Sequence, residues 1–360
     1  MPPGTTWFFK QDDLELDMDV LIYGSYGYTG RLVVEEALRR GFEPALGGRR
    51  QEEVESQADE TGLESLAFES DEADDHVEGF DAVLNCAGPF SRTYADVVDA
   101  CIEAGASYLD ITGEVDVFRG IAARDAEARV ADVSLLPGVG FDVVPSDCLA
   151  AYVAGELESP THLSVGFDGS LTPSRGTART AVEGLGRGCL VRRNGELVRR
   201  RIGSVTRDVD FGRGVRKAAL FPLGDVVTAY HSTGVENIET YVGVGRGLAL
   251  FSRVADGLGP VTRSRPVQSA LRSFVDVAFD GPSEDERETE EAWLWAEAQG
   301  ADGESFEARL RTPETYAFTA RAAVEAAYRV DDVDPGFQTP ATAYGEDFVV
   351  GFDGVERFDG

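Results

Sequence analysis

The segment Gly24-Ser25-Tyr26-Gly27-Tyr28-Thr29-Gly30 constrains this chain more than any other stretch. It follows the short apolar run Val20-Leu21-Ile22-Tyr23. It precedes Leu32, Val33, Ala37 and Leu38, which recur at helical spacing until Gly41. A buried strand, a glycine-rich turn and an amphipathic helix in that order predict the first unit of a doubly wound parallel sheet. The glycines let the backbone turn tightly and approach a pyrophosphate. The helix start offers unpaired N–H groups and the positive end of its dipole. The spacing is G-x-x-G-x-x-G, one residue longer between the first two glycines than G-x-G-x-x-G. The bland alternative is a glycine-rich turn with no ligand.

The alternation continues. Pro44-Ala45-Leu46, Leu66-Ala67-Phe68, Ala82-Val83-Leu84, Tyr108-Leu109-Asp110-Ile111 and Val133-Ser134-Leu135-Leu136 read as further strands. Ala95 to Ala104, stopped by Gly105, and Phe118 to Val130 read as helices between them. After Pro145 the rhythm changes. Ser146 to Leu157 is a helix, and Thr161 to Phe167 and Ile238 to Val244 are strands. Thr177 to Leu185 reads as helical. Asn194-Gly195 signals a type I′ hairpin, and Gly300 to Gly303 marks a second hairpin between Trp293–Ala298 and Phe306–Leu310. Ser283 to Glu291 is a charged, solvated face, Pro313 to Tyr328 an alanine-rich helix, and Gly336 to Gly360 an irregular tail. No internal repeat is visible.

The predicted fold is therefore α/β: a Rossmann-type doubly wound parallel sheet with an inserted second α+β domain containing a mixed sheet. The expected divisions are a flexible arm over 1–17, an NADP-binding domain over 18–147, and an inserted substrate or dimerisation domain over 148–311. A C-terminal helix and tail over 312–360 should return to the first domain. A cleft should form between the glycine-rich loops and the second domain.

Composition narrows the function classes. The 65 acidic residues outnumber the 33 basic ones, and the net charge is -32. Apart from Lys10 and Lys217, every basic residue is arginine. The acids are dispersed, so adaptation to a salty cytoplasm is the simplest reading and nucleic acid a poor partner. No apolar run reaches the ~18 residues of a membrane span, and no signal-peptide pattern opens the chain, so a cytoplasmic protein is expected. Cys86, Cys101, Cys148 and Cys189 lack C-x-x-C spacing, and His76, His162 and His231 are scattered. Reduced cysteines and no metal are expected.

The cofactor candidates are Gly24, Ser25, Tyr26, Gly27, Tyr28, Thr29 and Gly30, with Arg49 and Arg50 at the end of the second strand. An acidic residue there would suit the ribose diol of NAD. Gly47-Gly48-Arg49-Arg50 instead suits the 2′-phosphate of NADP(H). Asn85, Ala87, Gly88, Pro89 and Phe90, following the fourth strand, are placed to line the ribose and nicotinamide. The bland alternative for any single one of them is a plain strand-to-helix turn, and it is the lesser reading.

Together these residues resemble the saccharopine dehydrogenase-like oxidoreductases, and within them the trans-acting enoyl reductase branch. The resemblance runs through Tyr23 to Val33, Gly48-Arg49, Leu84 to Phe90, Ala100 to Gly105, Tyr108 to Glu114 and Gly140 to Asp147. Gly176-Thr177-Ala178 and Thr339-Pro340-Ala341 are similar too. The resemblance implies NADP(H), an inserted domain and no metal. Where relatives often carry Gly-Ala-Thr-Gly, this chain has Gly-Ser-Tyr-Gly, and Tyr26 is the bulkiest departure.

Hydride transfer often needs a proton donor near the nicotinamide. Asp110, Glu114 and Asp142 should lie on the cleft floor. Asp142 and Asp147 bracket Pro145, and Tyr94 and His231 are further donors. Each has a bland counterpart: Asp142 bonds a turn, Ser146 or Asp147 caps a helix, and His231, after a strand, is structural. Tyr230, Arg175 and Arg179 complete the second domain's candidates. Two function classes stand. One is an NADPH-dependent reductase of an activated double bond, in the first place a lipid-related enoyl C=C and, as the alternative, a saccharopine-type C–N bond of an amino-acid substrate. The other is a non-catalytic NADP(H)-binding module. A dicarboxylate substrate would need an arginine cluster, for which Arg175, Arg179, Arg187, Arg192 and Arg193 are the candidates. A small-molecule substrate is expected, and a homodimer is left open.

Overall fold

Every residue of Val20–Tyr23 (β1) is buried, as a strand with parallel neighbours on both sides and helices on both faces requires. The computed structural model describes residues 18–169, 188–243, 267 and 290–360. In it β1 pairs in parallel with Ala45–Gly48 (β2) on one side and Ala82–Asn85 (β4) on the other. Ser65–Ala67 (β3), Ser107–Asp110 (β5), Ser134–Leu136 (β6) and Gly336–Phe337 (β15) complete an all-parallel sheet. Its order is β15-β6-β5-β4-β1-β2-β3.

Helices cover both faces. Tyr28–Arg39 (α1) packs Val33, Val34 and Ala37 against β1 and against Thr315–Ala327 (α8). Glu36, Arg40 and Glu325 form a half-sequestered ion cluster between these two helices. Phe90–Ala104 (α3), Val115–Ala122 (α4) and Asp125–Ala131 (α5) cover the opposite face through Val97, Cys101, Ile121 and Ala128. Gln51–Thr61 (α2) joins β2 to β3.

The second sheet is mixed. Pro160–Gly169 (β7) and Asn237–Gly243 (β12) pair in parallel at its centre. Around them stand Thr206–Asp210 (β10), Val215–Leu220 (β11), Glu291–Gly300 (β13), Ser305–Pro313 (β14) and Glu356–Asp359 (β16). The order is β10-β11-β12-β7-β13-β14-β16. Cys189–Arg193 (β8) and Glu196–Arg200 (β9) form a hairpin on β12. Its turn residues Asn194 and Gly195 have φ of 48° and 79°, the left-handed pair that a type I′ turn needs.

Val144–Gly155 (α6) connects the two sheets. It is apolar nearly all round, and Val144, Cys148, Leu149 and Val153 are buried against β7, β13 and β14. Pro145 stands in its first turn, where a missing N–H costs nothing. Asp225–Thr233 (α7) packs beside α6.

Several local expectations need correction. The stretch from Phe118 to Val130 is two helices, broken at Ala123-Arg124, and the first begins earlier, at Val115. The helix expected from Ala95 begins at Phe90. His231 does not follow a strand; it lies within α7. The tail is not irregular. It supplies β15 to the first sheet, Pro340–Tyr344 (α9), and β16 to the second sheet. The segment after Arg311 thus serves both sheets. Residues 1–17, the Thr177–Leu185 helix and most of Ser283–Glu291 lie outside the described residues.

Candidate functional site

The glycine-rich loop leaves β1 at its carboxyl end. Gly24 has φ 85°, and its N–H, like that of Ser25, donates to the Gly47 carbonyl on β2. A Cβ on Gly24 would stand 2.7 Å from the Ala87 nitrogen, and one on Gly30 would stand 2.3 Å from the Gly24 carbonyl. Glycine is therefore required where this loop meets the loop after β4 and where α1 meets β1. Gly27 is the N-cap of α1, with no side-chain cap and no acidic residue in the first turn. The helix start is left electropositive. Ser25 is fully buried, and among the described residues its hydroxyl has no hydrogen-bond partner. A small-residue cradle with an orphaned hydroxyl beside an uncapped helix start fits a dinucleotide pyrophosphate.

At the end of β2 the ring of Tyr26 lies against Gly48, where a Cβ would stand 2.5 Å from Tyr26 Cε1. The Arg50 guanidinium sits 4.7 Å from the ring centroid, and the Arg50 N–H donates to the Tyr26 hydroxyl. Arg50 also pairs with Glu53 at 3.2 Å. Arg49 is exposed and makes no hydrogen bond or ion pair with any described residue. Of the two arginines, Arg49 is the unengaged cation.

The loop after β4 is built by Asn85. Its Nδ2 donates to Tyr108 and Thr93, and its Oδ1 accepts from the Ala87 N–H at 2.9 Å. Asn85 is fully buried, so it shapes the loop and does not line a cofactor surface. Ala87, Gly88, Pro89 and Phe90 then carry the chain into α3, beside Gly24.

The three carboxylates expected on a cleft floor separate into different roles. Asp110 is fully buried. It accepts from Thr112 N–H and Gly138 N–H at 2.9 Å and from the Tyr108 hydroxyl at 2.9 Å. It ties the end of β5 to the loop after β6. Burial pushes its carboxyl up to about 6 against the pull of these donors. Glu114 accepts from the Phe90 N–H at 3.1 Å and so binds the start of α4 to that of α3. Asp142 differs from both. It is exposed in a run, Val133 to Ala150, that is otherwise buried, and no described residue hydrogen-bonds to it. Although the residue is exposed, crowding by the surrounding protein costs its carboxyl hydration and pushes it up to about 6. A Cβ on Gly113, in the loop after β5, would stand 3.0 Å from Asp142 Oδ2.

The remaining donor candidates turn away from this point. The Tyr94 hydroxyl packs over Gly120 of α4. The His231 ring meets the Phe337 ring edge-on at 4.8 Å, by β15, and burial holds its imidazole below the ordinary range. Arg192 stacks 3.8 Å over the Tyr230 ring and bonds the Val226 and Gly195 carbonyls. Arg193 pairs with Glu239. Arg175, Arg179 and Arg187 lie outside the described residues. Asp147 is a buried tie: it accepts from Ser232 of α7 and from the Ala341 N–H of α9.

One residue escaped the sequence reading. Asp225, at the start of α7, is fully buried; among the described residues neither of its carboxylate oxygens has a well-formed hydrogen bond, the nearby Ser146 hydroxyl easing the burial that raises its carboxyl. Its only signal in sequence is a lone carboxylate inside Phe221-Pro222-Leu223-Gly224-Asp225-Val226-Val227. Among the described residues, no group of three His, Cys, Asp or Glu is arranged to hold a metal, and no helix is long and apolar enough to cross a membrane. A cavity of about 180 Å³ lined by Leu157, Ser159, Gly300 and Glu304 lies at the far end of α6 and is not part of this site.

Residues 20–134 match the family model of the saccharopine dehydrogenase NADP binding domain. A human saccharopine dehydrogenase-like oxidoreductase is 29% identical over 198 residues, covering 46% of this chain and 46% of that protein. A Mycobacterium tuberculosis protein, assigned provisionally as a trans-acting enoyl reductase, is 29% identical over 193 residues, 46% of this chain and 44% of its own. The chain spans about half the length of the curated relatives it matches. Among solved structures, the L-Glu-forming saccharopine dehydrogenase of Saccharomyces cerevisiae superposes with TM-score 0.64 at 11% identity. The match covers 95% of this chain and all of that one. At that identity the likeness shows the fold alone.

Proposed function

Starting from a first domain of the saccharopine dehydrogenase NADP-binding type, we propose that this protein is an NADPH-dependent oxidoreductase that reduces an activated double bond, an enoyl C=C of an apolar acyl substrate. Residues 24–30 hold the pyrophosphate, Arg49 the 2′-phosphate, and Ala87 to Phe90 border the nicotinamide half. The cofactor supplies the hydride when bound. Three strand spacings, about 14 Å, separate β1 from β6 at the carboxyl edge, a span suited to a dinucleotide extended across the sheet. Asp142 stands at the β6 end of that span.

The observation that carries this reading is the state of Asp142: exposed, without a hydrogen-bond partner among the described residues, and with its carboxyl raised towards neutrality, to about 6. A carboxyl in that condition near neutral pH can give a proton to the substrate atom beside the carbon that takes the hydride. Its placement favours catalysis over a purely structural nucleotide site. The competing C–N reading needs arginines free to hold a dicarboxylate. Among the described candidates, Arg192 and Arg193 are already engaged within the second domain. The provisional enoyl reductase assignment of the mycobacterial relative supports the same choice.

The test is NADPH oxidation with a 2-enoyl thioester, set against a keto acid plus amino acid pair. The thioester should be turned over, and Asp142→Asn should lower kcat by roughly 10²-fold or more while sparing KM. Turnover of the keto acid pair alone would replace the enoyl reading with the C–N one. An unchanged kcat in Asp142→Asn would remove Asp142 from the chemistry.

A further inference from the structure

Asp142 stands at the corner of a tight turn. The Gly140 carbonyl accepts from the Val143 and Val144 N–H groups at 3.2 and 2.9 Å, so Asp142 is the third residue of a four-residue turn leading into α6. The approach to this turn is tied to β5, because the Gly138 and Val139 N–H groups donate to the side chain and the carbonyl of Asp110. The turn itself is braced by α8. The Phe141 N–H donates to the Thr319 hydroxyl at 3.0 Å, and that hydroxyl donates to the Thr315 carbonyl at 2.7 Å. A Cβ on Gly140 would stand 2.9 Å from Thr319 Cγ2. Thr319 thus touches two of the four turn residues. Both it and Phe141 are buried, and the Phe141 ring meets those of Phe167 and Phe318 edge-on. Asp142 alone of the four is exposed.

The same helix is fixed to α1, which opens the cofactor site. The Tyr316 ring meets the ring of Tyr28, the first residue of α1, edge-on at 5.0 Å. Further along, Glu325 pairs with Arg40 at 2.6 Å. Tyr316 and Thr319 are spaced i, i+3, neighbours on the surface of α8. Within one helical turn, α8 therefore meets the start of the cofactor helix and the turn that carries Asp142.

We propose that Thr319 is a positioning residue for Asp142: its hydroxyl holds the Asp142 turn against a helix that is itself pinned to the cofactor site. The proposal rests on the oxidoreductase reading above. No described residue hydrogen-bonds the Asp142 carboxyl, so its aim is set by the backbone of its turn and by contact with the Gly113 loop. A reacting group misplaced by about 1 Å can lose about 10²-fold in rate. Without the Thr319 hydroxyl the Phe141 N–H is left buried with no acceptor, which favours a shifted turn that satisfies it.

Two substitutions separate the hydroxyl from the packing. Thr319→Val keeps the branched shape against Gly140 and removes the hydrogen bond. Thr319→Ser keeps the hydrogen bond and removes the methyl group. Amide hydrogen exchange of the whole chain, with neither cofactor nor substrate, should show residues 140–144 exchanging roughly tenfold faster in Thr319→Val and near the wild-type rate in Thr319→Ser, with β1 and β4 unchanged. In the thioester assay Thr319→Val should lower kcat by roughly 10- to 10²-fold while KM and NADPH affinity stay near wild type, and Thr319→Ser should recover most of the loss. Thr319→Val added to Asp142→Asn should slow the enzyme no further, because the hydroxyl acts only through that carboxyl. Unchanged exchange over 140–144 in Thr319→Val would overturn the proposal. So would losses that multiply in the double variant, or a fall in NADPH affinity alongside kcat, either of which makes Thr319 a general stabiliser. An unchanged kcat in Asp142→Asn with the exchange result intact would strike the catalytic reading of Asp142 and leave the brace standing.

Discussion

The Tyr26 ring lies against Gly48, with a Cβ at that glycine only 2.5 Å from Tyr26 Cε1, and Arg50 stacks on the ring's other neighbourhood at 4.7 Å. The bulkiest departure in the glycine-rich loop thus closes over the end of β2 and takes up Arg50. Both arginines are exposed, but Arg49 alone of the two has no hydrogen bond or ion pair with a described residue.

That division makes a specific cofactor prediction. Arg49→Asp should weaken NADPH binding far more than NADH binding, since it places a carboxylate where a 2′-phosphate needs a cation. Arg50→Ala should affect both cofactors similarly, because it loosens Tyr26 and removes no phosphate contact. Fluorescence titration with the two nucleotides reads both. Equal losses for NADPH and NADH in Arg49→Asp would refute the 2′-phosphate role.

Gly24→Ala tests the cradle itself. The position combines φ 85° with a Cβ contact of 2.7 Å to the backbone of Ala87, so neither rotation nor a flexible neighbour relieves it. A destabilisation of about 1–3 kcal/mol from the backbone strain alone is expected, with the contact adding to it. NADPH affinity should fall with it. A variant as stable as wild type, by urea unfolding, would mean the two loops do not meet as described.

Much of the first sheet was legible because its signals are local. The run Val20–Tyr23 and the glycines at 24, 27 and 30 specify a strand, a turn and a helix between Val20 and Arg39. The tail was not legible. Gly336–Phe337 becomes a strand only because β6 offers a free edge, and two residues carry no periodicity. His231 was misplaced because the β-branched Val226-Val227 reads as strand, yet burial against α6 makes it helix. In the site, residue types were found but their roles were not. Asp110 and Asp142 look alike in sequence. Only the fold gives one of them three donors and the other none among the described residues.

Asp110 carries a pH prediction whose sign follows from its burial. Its carboxyl sits up at about 6 in the folded chain, against an ordinary value of ~3.9 in the unfolded one. Between those values the folded state binds more protons, so stability falls as pH rises from about 4 through about 6. Asp110→Asn cannot titrate. The stability difference between the two proteins should therefore shift in favour of the variant over that window, by on the order of 2 kcal/mol. Denaturant unfolding at several pH values measures it. A difference that stays flat with pH would show that Asp110 does not titrate in this range.

The last prediction concerns salt. A net charge of -32 on 360 residues sets the folded surface against itself, and unfolding relieves the repulsion by spreading the charges apart. The described ion pairs compensate only locally. Several join two exposed side chains, as Lys217 does with Asp208 at 2.8 Å, and such pairs contribute little. The sequestered cluster of Glu36, Arg40 and Glu325 is shielded from solvent and should be insensitive to salt. Raising potassium chloride from dilute buffer to roughly molar shortens the screening length from ~30 Å to ~3 Å, which removes the long-range repulsion while sparing that cluster. The melting temperature should therefore climb over this range and then flatten. Potassium chloride should act more strongly than an equal concentration of a neutral osmolyte, because the effect is screening and not exclusion from the surface. A melting temperature that is flat or falling with salt would show that the acidic surface is not balanced by salt, and the halophilic reading of the composition would be lost.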